Sequence, residues 1–357
     1  MDSSGSPAEC PWMRRPYSKL PSVPTMLTRE LEDFITFLNP TPEEHNVRAL
    51  VFERIKRAIK DLWNTADVKV FGSFETQLYL PSSDMDVVVL LGREINKYKD
   101  LQNLRNHLRR SGVGENITCI AKARVPIVKF QETYSHISVD VSFNQVSGIE
   151  GAEVVKNYMT KTPGLRSLTM LIKQFLMANE LNEVYLGGIG SYATVIMVLS
   201  FLQRHPAVQA GLINPDKNLG VLLIEFFELY GLHFNYQDVG IDVAGTGKYF
   251  PVTNRENNGH RHIRLVTLDP INADNNVTKG SIKVLEIRKL FAQAYERLTR
   301  NSREQHRDIF VDNERAGRGE ISLLRGVLSI PERVMSQRYL LEKVYIQGHL
   351  QALLKRY

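Results

Sequence analysis

A chain of 357 residues, 43% of them hydrophobic, is long enough for two domains and too apolar to be disordered. Its net charge of +6 favours a polyanionic partner, and its two cysteines, Cys10 and Cys119, exclude a disulfide framework and an intrinsic zinc site. The longest apolar run, near Ala193 to Leu202, is too short to cross a bilayer, and the polar opening Met1 to Pro11 carries no signal-peptide pattern, so an intracellular, soluble protein is expected.

In chain order, residues 1–26 are rich in Pro and Ser and read as an extended arm. A helix is predicted from Thr28, its N-cap, to Leu38, ended by Asn39-Pro40. Thr41-Pro42-Glu43-Glu44 starts a second helix, with Pro in the first turn and acids at the positive end of the dipole. Val47, Leu50, Val51, Ile55, Ile59 and Leu62 recur there at helical spacing, up to Trp63. Asp67 to Phe71 alternates as a short strand. Gly72-Ser73 follows, with Phe74 to Leu80 able to start a short helix. After Pro81-Ser82-Ser83 come Asp84 and Asp86, running into Val87 to Leu91, an apolar run that reads as a buried strand. Asn96 to Ser111 reads as a polar helix; Thr118 to Phe130 and His136 to Phe143 read as two strands.

From Glu150 onward the pattern changes to long helices: Leu165 to Ala178, Tyr192 to Arg204 and Leu219 to Leu232. Residues 241–282 are loop-rich with short strands, Leu285 to Leu298 is another helix, and the charged tail from Asn301 ends in an amphipathic helix around Met335 to Leu354. A mixed sheet followed by helices predicts an α+β chain of two domains, divided near Ser147 to Gly151.

The chemistry concentrates at the acid pair. Side chains alternate along a strand, so Asp84 and Asp86 leave the same face. Burying two adjacent carboxylates is costly unless a cation offsets them, and hard divalent ions take oxygen ligands that they share with phosphates. A third carboxylate is available on the strand His136 to Phe143, where Ser138, Asp140 and Ser142 share a face. Aspartate is disfavoured inside a strand, although on its own Asp140 could equally sit on a solvated sheet face. Facing the pair, it would complete a site for two Mg²⁺ or Mn²⁺ ions about 3.5–4 Å apart. One ion would activate an attacking hydroxyl and the other would stabilise leaving pyrophosphate. Gly72-Ser73 ahead of a helix start suits a phosphate, though alone it reads as an ordinary turn. Ala244 to Phe250, AGTGKYF, fails as a phosphate-binding P-loop because Asp242 and Tyr249 stand where Gly and Ser/Thr are needed; it reads as a turn. His260-Arg261-His262 could serve metal or RNA but reads first as a solvated loop, and Arg297, Arg300, Arg303 and Arg307 could add to an RNA track but read first as a solvated face.

Gly-Ser, then Asp-x-Asp, then a distant strand Asp resembles the signature of the DNA-polymerase-β-like nucleotidyltransferases. More specifically, LYLPSSDMDVVV, VPIVKF, VDVSFN, LIKQFL, LNEVYLGGIGSY, SFLQRHP and LGVLLIEFFELYG resemble Trf-type poly(A) polymerases, the catalytic subunits of TRAMP-like complexes, from about Pro11 to Arg300. The resemblance implies a polymerase-β-like nucleotidyltransferase domain over 40–147 and a mostly helical central domain over 27–39 and 148–300, with the arm 1–26 before them and the charged tail 301–357 after. It implies that Asp84, Asp86 and Asp140 bind the metals and catalyse, Asp140 also helping to activate the RNA 3′-hydroxyl. Gly72 and Ser73 are implied to contact phosphate, Lys173 the triphosphate, and Ser191 with Tyr192 the nucleotide, the tyrosine stacking on the incoming base. Asn275 and Asn276 fall in the base-recognition loop that starts at Asp269. Uridylyl-transferring relatives carry His where Asn275 stands, so Asn favours ATP.

From the residues alone, Lys173 reads as a snorkelling surface lysine and Tyr192 as helix core. Two positions depart from the family: Met177 stands where many relatives have a second lysine, and Gly190 where several have serine. The implied function is template-independent addition of AMP from ATP to RNA 3′ ends in RNA surveillance, processing and decay. The implied partners are a zinc-knuckle RNA-binding protein and an RNA helicase, and the implied compartment is the nucleus, with the cytoplasm as alternative. Transfer of UMP or mixed nucleotides, and an inactive RNA-binding scaffold on the same fold, stand beside it.

Overall fold

The structure, a computed structural model, describes residues 10–13, 17, 20–123, 125–252, 263–308 and 322–355. Helix α1 (Val23–Leu38) starts earlier than Thr28 because Ser22 caps it: the Met26 amide donates to the Ser22 carbonyl at 3.0 Å and the Thr25 amide to Ser22 Oγ at 3.4 Å. Thr28 is instead buried inside the helix, where its hydroxyl accepts from the Gly220 amide at 3.1 Å. The described residues of the expected arm pack onto α1. Trp12 is buried edge-on to Phe34 and donates its indole N–H to Glu30, and Tyr17 donates to Asp33. His260-Arg261-His262 lies outside the described residues.

Helix α2 (Pro42–Leu62) follows the expected bounds, closed at its start by a Thr41–Glu44 capping box and ended at Trp63. Strand β1 (Asp67–Phe71) leads into α3 (Gly72–Glu75), a single turn rather than a helix to Leu80, since the backbone becomes left-handed at Gln77. Then come β2 (Met85–Leu90), α4 (Lys99–Arg110), β3 (Gly114–Ile120), β4 (Ile127–Glu132) and β5 (Ser138–Phe143). The stretch 118–130, expected as one strand, contains a hairpin: β3 and β4 pair antiparallel, with Ile120 opposite Ile127. The later elements are α5 (Ser147–Lys161), α6 (Leu165–Ala178), α7 (Ser191–Arg204), α8 (Pro206–Gln209) and α9 (Leu219–Glu228), the last extended by a widened turn over Leu229–His233. Strands β6 (Val239–Asp242), β7 (Lys248–Pro251) and β8 (Val266–Thr267) precede α10 (Val284–His306), α11 (Glu332–Gln347) and α12 (His349–Lys355). AGTGKYF forms the turn between β6 and β7 and the start of β7, as expected.

The chain divides into two compact units: residues 39–156 with 331–357, and residues 1–38 with 157–330. The first unit holds a five-stranded mixed sheet in the order β1-β2-β5-β4-β3, with β2 and β5 parallel. Its core joins Val87, Val89, Val139 and Val141 of the sheet to Val51, Ile55, Leu104 and Leu108 of the helices and to Leu341 and Val344 of α11. Each such side chain contributes roughly 1.5–3 kcal/mol on full burial. The C-terminal helices thus complete this core, and Arg338 of α11 pairs with Glu44 of α2 at 2.7 Å.

The second unit is helical around Phe175, Phe226, Phe227 and Phe291, with ring centroids 4.9–6.1 Å apart. Its α6 is buried on nearly every face, which is why that segment reads as apolar all round. Arg297 of α10 donates to the Gly326 carbonyl at 2.5 Å, so it is engaged in packing rather than simply solvated. Among the described residues no helix is long and apolar enough to cross a membrane.

Candidate active site

Strand pairing assembles the acids of the first unit. In the parallel β2–β5 register Asp86 lies opposite Asp140, and Asp84 sits one residue before β2. Phe71, the last residue of β1, pairs with Asp86, so the turn that follows β1 starts beside that acid. Gly72 has φ +65, and a Cβ placed on it would collide with Asp86 Oδ2 and lie 3.2 Å from Asp86 Cγ. The carboxylate therefore rests against the main chain of the Gly72-Ser73 turn, an approach that only glycine permits.

The neighbouring β4 contributes Lys129, opposite Asp140 in the antiparallel register. Its ammonium donates to Asp84 Oδ2 at 2.7 Å and to Asp140 Oδ2 at 3.5 Å, and lies 3.3 Å from Asp140 Oδ1. Burial opposes the lysine's charge, but the two carboxylates outweigh it and raise its pKa. Burial also raises the Asp140 carboxyl above its ordinary value; the Asp84 charge adds to this and Lys129 opposes it. Behind the pair, buried Arg48 donates to the Pro81 carbonyl at 2.8 Å and stands 4.8 Å from the centre of the Tyr79 ring, holding the turn that leads into Asp84.

Among the described residues no three His, Cys, Asp or Glu side chains form a ready metal cluster. The donor set nevertheless suits a hard divalent ion. All its donors are carboxylate oxygens, a cation already bridges two of the acids, and Asp140 Oδ1 is buried without a hydrogen bond.

The second unit holds the other expected residues. Tyr192, half-buried on the first turn of α7, donates its hydroxyl to Asp269 Oδ1 at 3.0 Å, while the side-chain Nδ2 of Asn275 donates to Asp269 Oδ2, also at 3.0 Å. Burial and the Asp269 charge both raise the Tyr192 pKa, so the phenol stays protonated and donating. Asn276 points its carboxamide oxygen into the loop, accepting from the Thr267 and Thr278 amides at 3.1 and 3.0 Å. Ser191 is exposed at the start of α7. Lys173 is only 6% exposed, so it is not the snorkelling surface lysine that its neighbours suggest, and Tyr192 is not simply helix core.

The sequence reading missed Lys129 and Arg48, and it named Asp269 only as the start of the base-recognition loop, not as the acid that joins Tyr192 to Asn275. Lys129 had one visible signal, a charged residue between the buried Val128 and Phe130 in an alternating strand. For Asp269 and Arg48 nothing local distinguished them.

An acid pair opening one strand, a third acid opposite on the parallel neighbour, and a Gly-Ser turn beside them define a polymerase-β-like nucleotidyltransferase. Residues 27–160 match the family described as "Poly(A) RNA polymerase, mitochondrial-like, central palm domain", and residues 218–275 match "Cid1 family poly A polymerase". The chain is 34% identical over 322 residues to the inactive noncanonical poly(A) RNA polymerase protein Trf4-2 of Drosophila melanogaster, covering 88% of this chain and 75% of that protein. It is 41% identical over 309 residues to Poly(A) RNA polymerase protein 2 of Saccharomyces cerevisiae, covering 85% of this chain and 53% of that protein. The solved polymerase core of TRAMP, an RNA surveillance complex, superposes with a TM-score of 0.80 at 38% identity, covering 90% of this chain and 99% of that one. The chain belongs to the noncanonical poly(A) RNA polymerase family. It spans about half the length of the fungal relatives it matches.

Proposed function

We propose that this chain transfers AMP from ATP to the 3′ ends of RNA without a template, using divalent metal ions. The observation that carries the reading is the register that sets Asp86 opposite Asp140 beside the Gly72-Ser73 turn, with Asp84 and Asp140 already sharing a cation. Asp84, Asp86 and Asp140 would hold Mg²⁺ or Mn²⁺, which when bound neutralises phosphate charge and lowers the pKa of the attacking hydroxyl. Asp140 stands to help take the proton from the RNA 3′-hydroxyl. The 3′-oxygen then bonds to the α-phosphorus as the bond to the bridging oxygen breaks and pyrophosphate leaves. Gly72, Ser73 and Lys173 bind phosphates. Ser191 and Tyr192 hold the nucleotide, and stacking contributes about 1–3 kcal/mol per base. Asp269 fixes the carboxamide of Asn275, whose remaining donor and acceptor suit the adenine edge.

The names of the yeast relative and of the TRAMP core support an RNA substrate and a place in an RNA surveillance complex; the nuclear compartment and partnership with a zinc-knuckle RNA-binding protein and an RNA helicase belong to the same proposal and rest on the family resemblance alone. A second reading has one observation in its favour: the Drosophila relative is described as inactive. Against it, this chain has Asp84, Asp86 and Asp140 on neighbouring strands, with Asp84 and Asp140 sharing one cation. Incubating labelled RNA with each nucleoside triphosphate separately decides the matter. Tailing with ATP, lost in Asp84→Ala and Asp140→Ala, is expected; preference for UTP, or tailing that survives both substitutions together, would sink the proposal.

A further inference from the structure

Lys129 carries none of the roles assigned above, yet its ammonium lies 2.7 Å from Asp84 and 3.3 Å from Asp140. We propose that Lys129 is a built-in counter-cation for the Asp84–Asp140 pair, exchanged for the divalent ion when the site loads, and that it thereby sets the site's metal affinity. This rests on the metal-dependent reading above.

The geometry is specific. Lys129 and Asp140 are register partners on β4 and β5, so their side chains rise from the same sheet face. The ammonium is 2.7 Å from Asp84 Oδ2 and 3.3 Å from Asp140 Oδ1. A divalent ion bound by the same oxygens would need them at about 2.0–2.1 Å for Mg²⁺, a space the ammonium now fills. Lys129 is 42% exposed along its side chain, so its flexible stem can carry the charge away into solvent. Asp140 Oδ1, buried and without a hydrogen bond, is an acceptor that the lysine only partly satisfies.

Without the lysine, the two carboxylates would repel one another in the empty site and bind a divalent ion without competition. Even a displaced ammonium that stayed nearby would repel the ion. Mn²⁺ binding, read by electron paramagnetic resonance on the full chain without nucleotide or RNA, tests this. Lys129→Met should tighten Mn²⁺ binding roughly tenfold or more, lower the Tm in chelator, and enlarge the rise in Tm on adding Mn²⁺. Lys129→Arg, which keeps the charge, should stay within a few-fold of the parent. Lys129→Gln, neutral but still a hydrogen-bond donor, gives the same readout if the methionine variant does not fold. Unchanged or weaker Mn²⁺ binding in the neutral variants, with binding intact in the parent, overturns the role of Lys129 and leaves metal-dependent transfer standing. No Mn²⁺ binding in either parent or variants also overturns the role of Lys129, and ATP tailing that persists in chelator would overturn metal-dependent transfer itself.

Discussion

The carboxylate of Asp86 rests on the main chain of Gly72. Gly72 opens the turn directly after β1 and Asp86 lies on the neighbouring β2, and the closeness depends on Gly72 having no Cβ and a left-handed φ of +65. Sequence shows a Gly-Ser turn and an acid thirteen positions later, in the count from Ser73 to Asp86; it does not show that one supports the other.

Gly72→Ala should therefore damage the site more than the fold. A non-glycine residue at this φ costs about 1–3 kcal/mol, and the new methyl would push Asp86 away. Tailing activity should fall by two orders of magnitude or more, with a stability loss that leaves the chain folded at 25 °C. Denaturant unfolding beside an RNA-extension assay separates the two effects; full activity in a folded variant would show that Asp86 has no need of its present position.

Asp269 joins Tyr192 to Asn275 through its two oxygens. Hydrogen bonds to a charged group contribute about 1.5–3 kcal/mol each. Asp269→Ala should raise the KM for ATP by tenfold or more and narrow the preference for ATP over UTP, with kcat changed less. Steady-state kinetics with both nucleotides measure this, and an unaltered ATP/UTP ratio would remove Asp269 from base selection.

Arg338 and Glu44 pair with side chains 13% and 3% exposed. Arg338→Ala strands a buried carboxylate, which costs about 3–5 kcal/mol. The midpoint of urea unfolding should drop accordingly, while Glu342→Ala, on the same helix but outside this pair, should shift it little.

Glu30 is buried against Trp12, Ser322 and Leu323, and burial raises its pKa above the ordinary 4.5 despite the hydrogen bonds it accepts. The folded state thus binds this proton more tightly than the unfolded chain. The stability it contributes is fully present below the unfolded value and is lost as pH rises through the raised folded value. Thermal melts from pH 4 upward should show a declining component that is absent in Glu30→Gln; equal slopes in the two proteins would refute the assignment.

Much of the first unit was legible. The helix start at Thr41 to Glu44 and the strand Asp67 to Phe71 follow from local rules, as does the helix Leu165 to Ala178 of the second unit, and their bounds match. The hairpin within 118–130 escaped because the apolar positions on its two sides resemble a single alternating run. The first helix was placed too late because Thr28, a good capping residue by type, is held inside the helix by its contact with Gly220. In the site, Asp84, Asp86 and Asp140 were legible because alternation and propensity act locally, whereas Arg48 reaches its partner Pro81 across 33 positions.

By itself, then, the sequence determined that this chain folds as an acid-bearing mixed sheet followed by helices, and that three aspartates stand on or beside its strands. These follow from periodicity, capping and the cost of placing carboxylates in strands, all of which act over a few residues. The tertiary structure alone decided which groups offset the acids' charge and which group joins Tyr192 to Asn275. Lys129 reaches Asp84 from 45 positions away and Asp269 reaches Tyr192 from 77, and only strand register and helix packing bring such groups within hydrogen-bond distance.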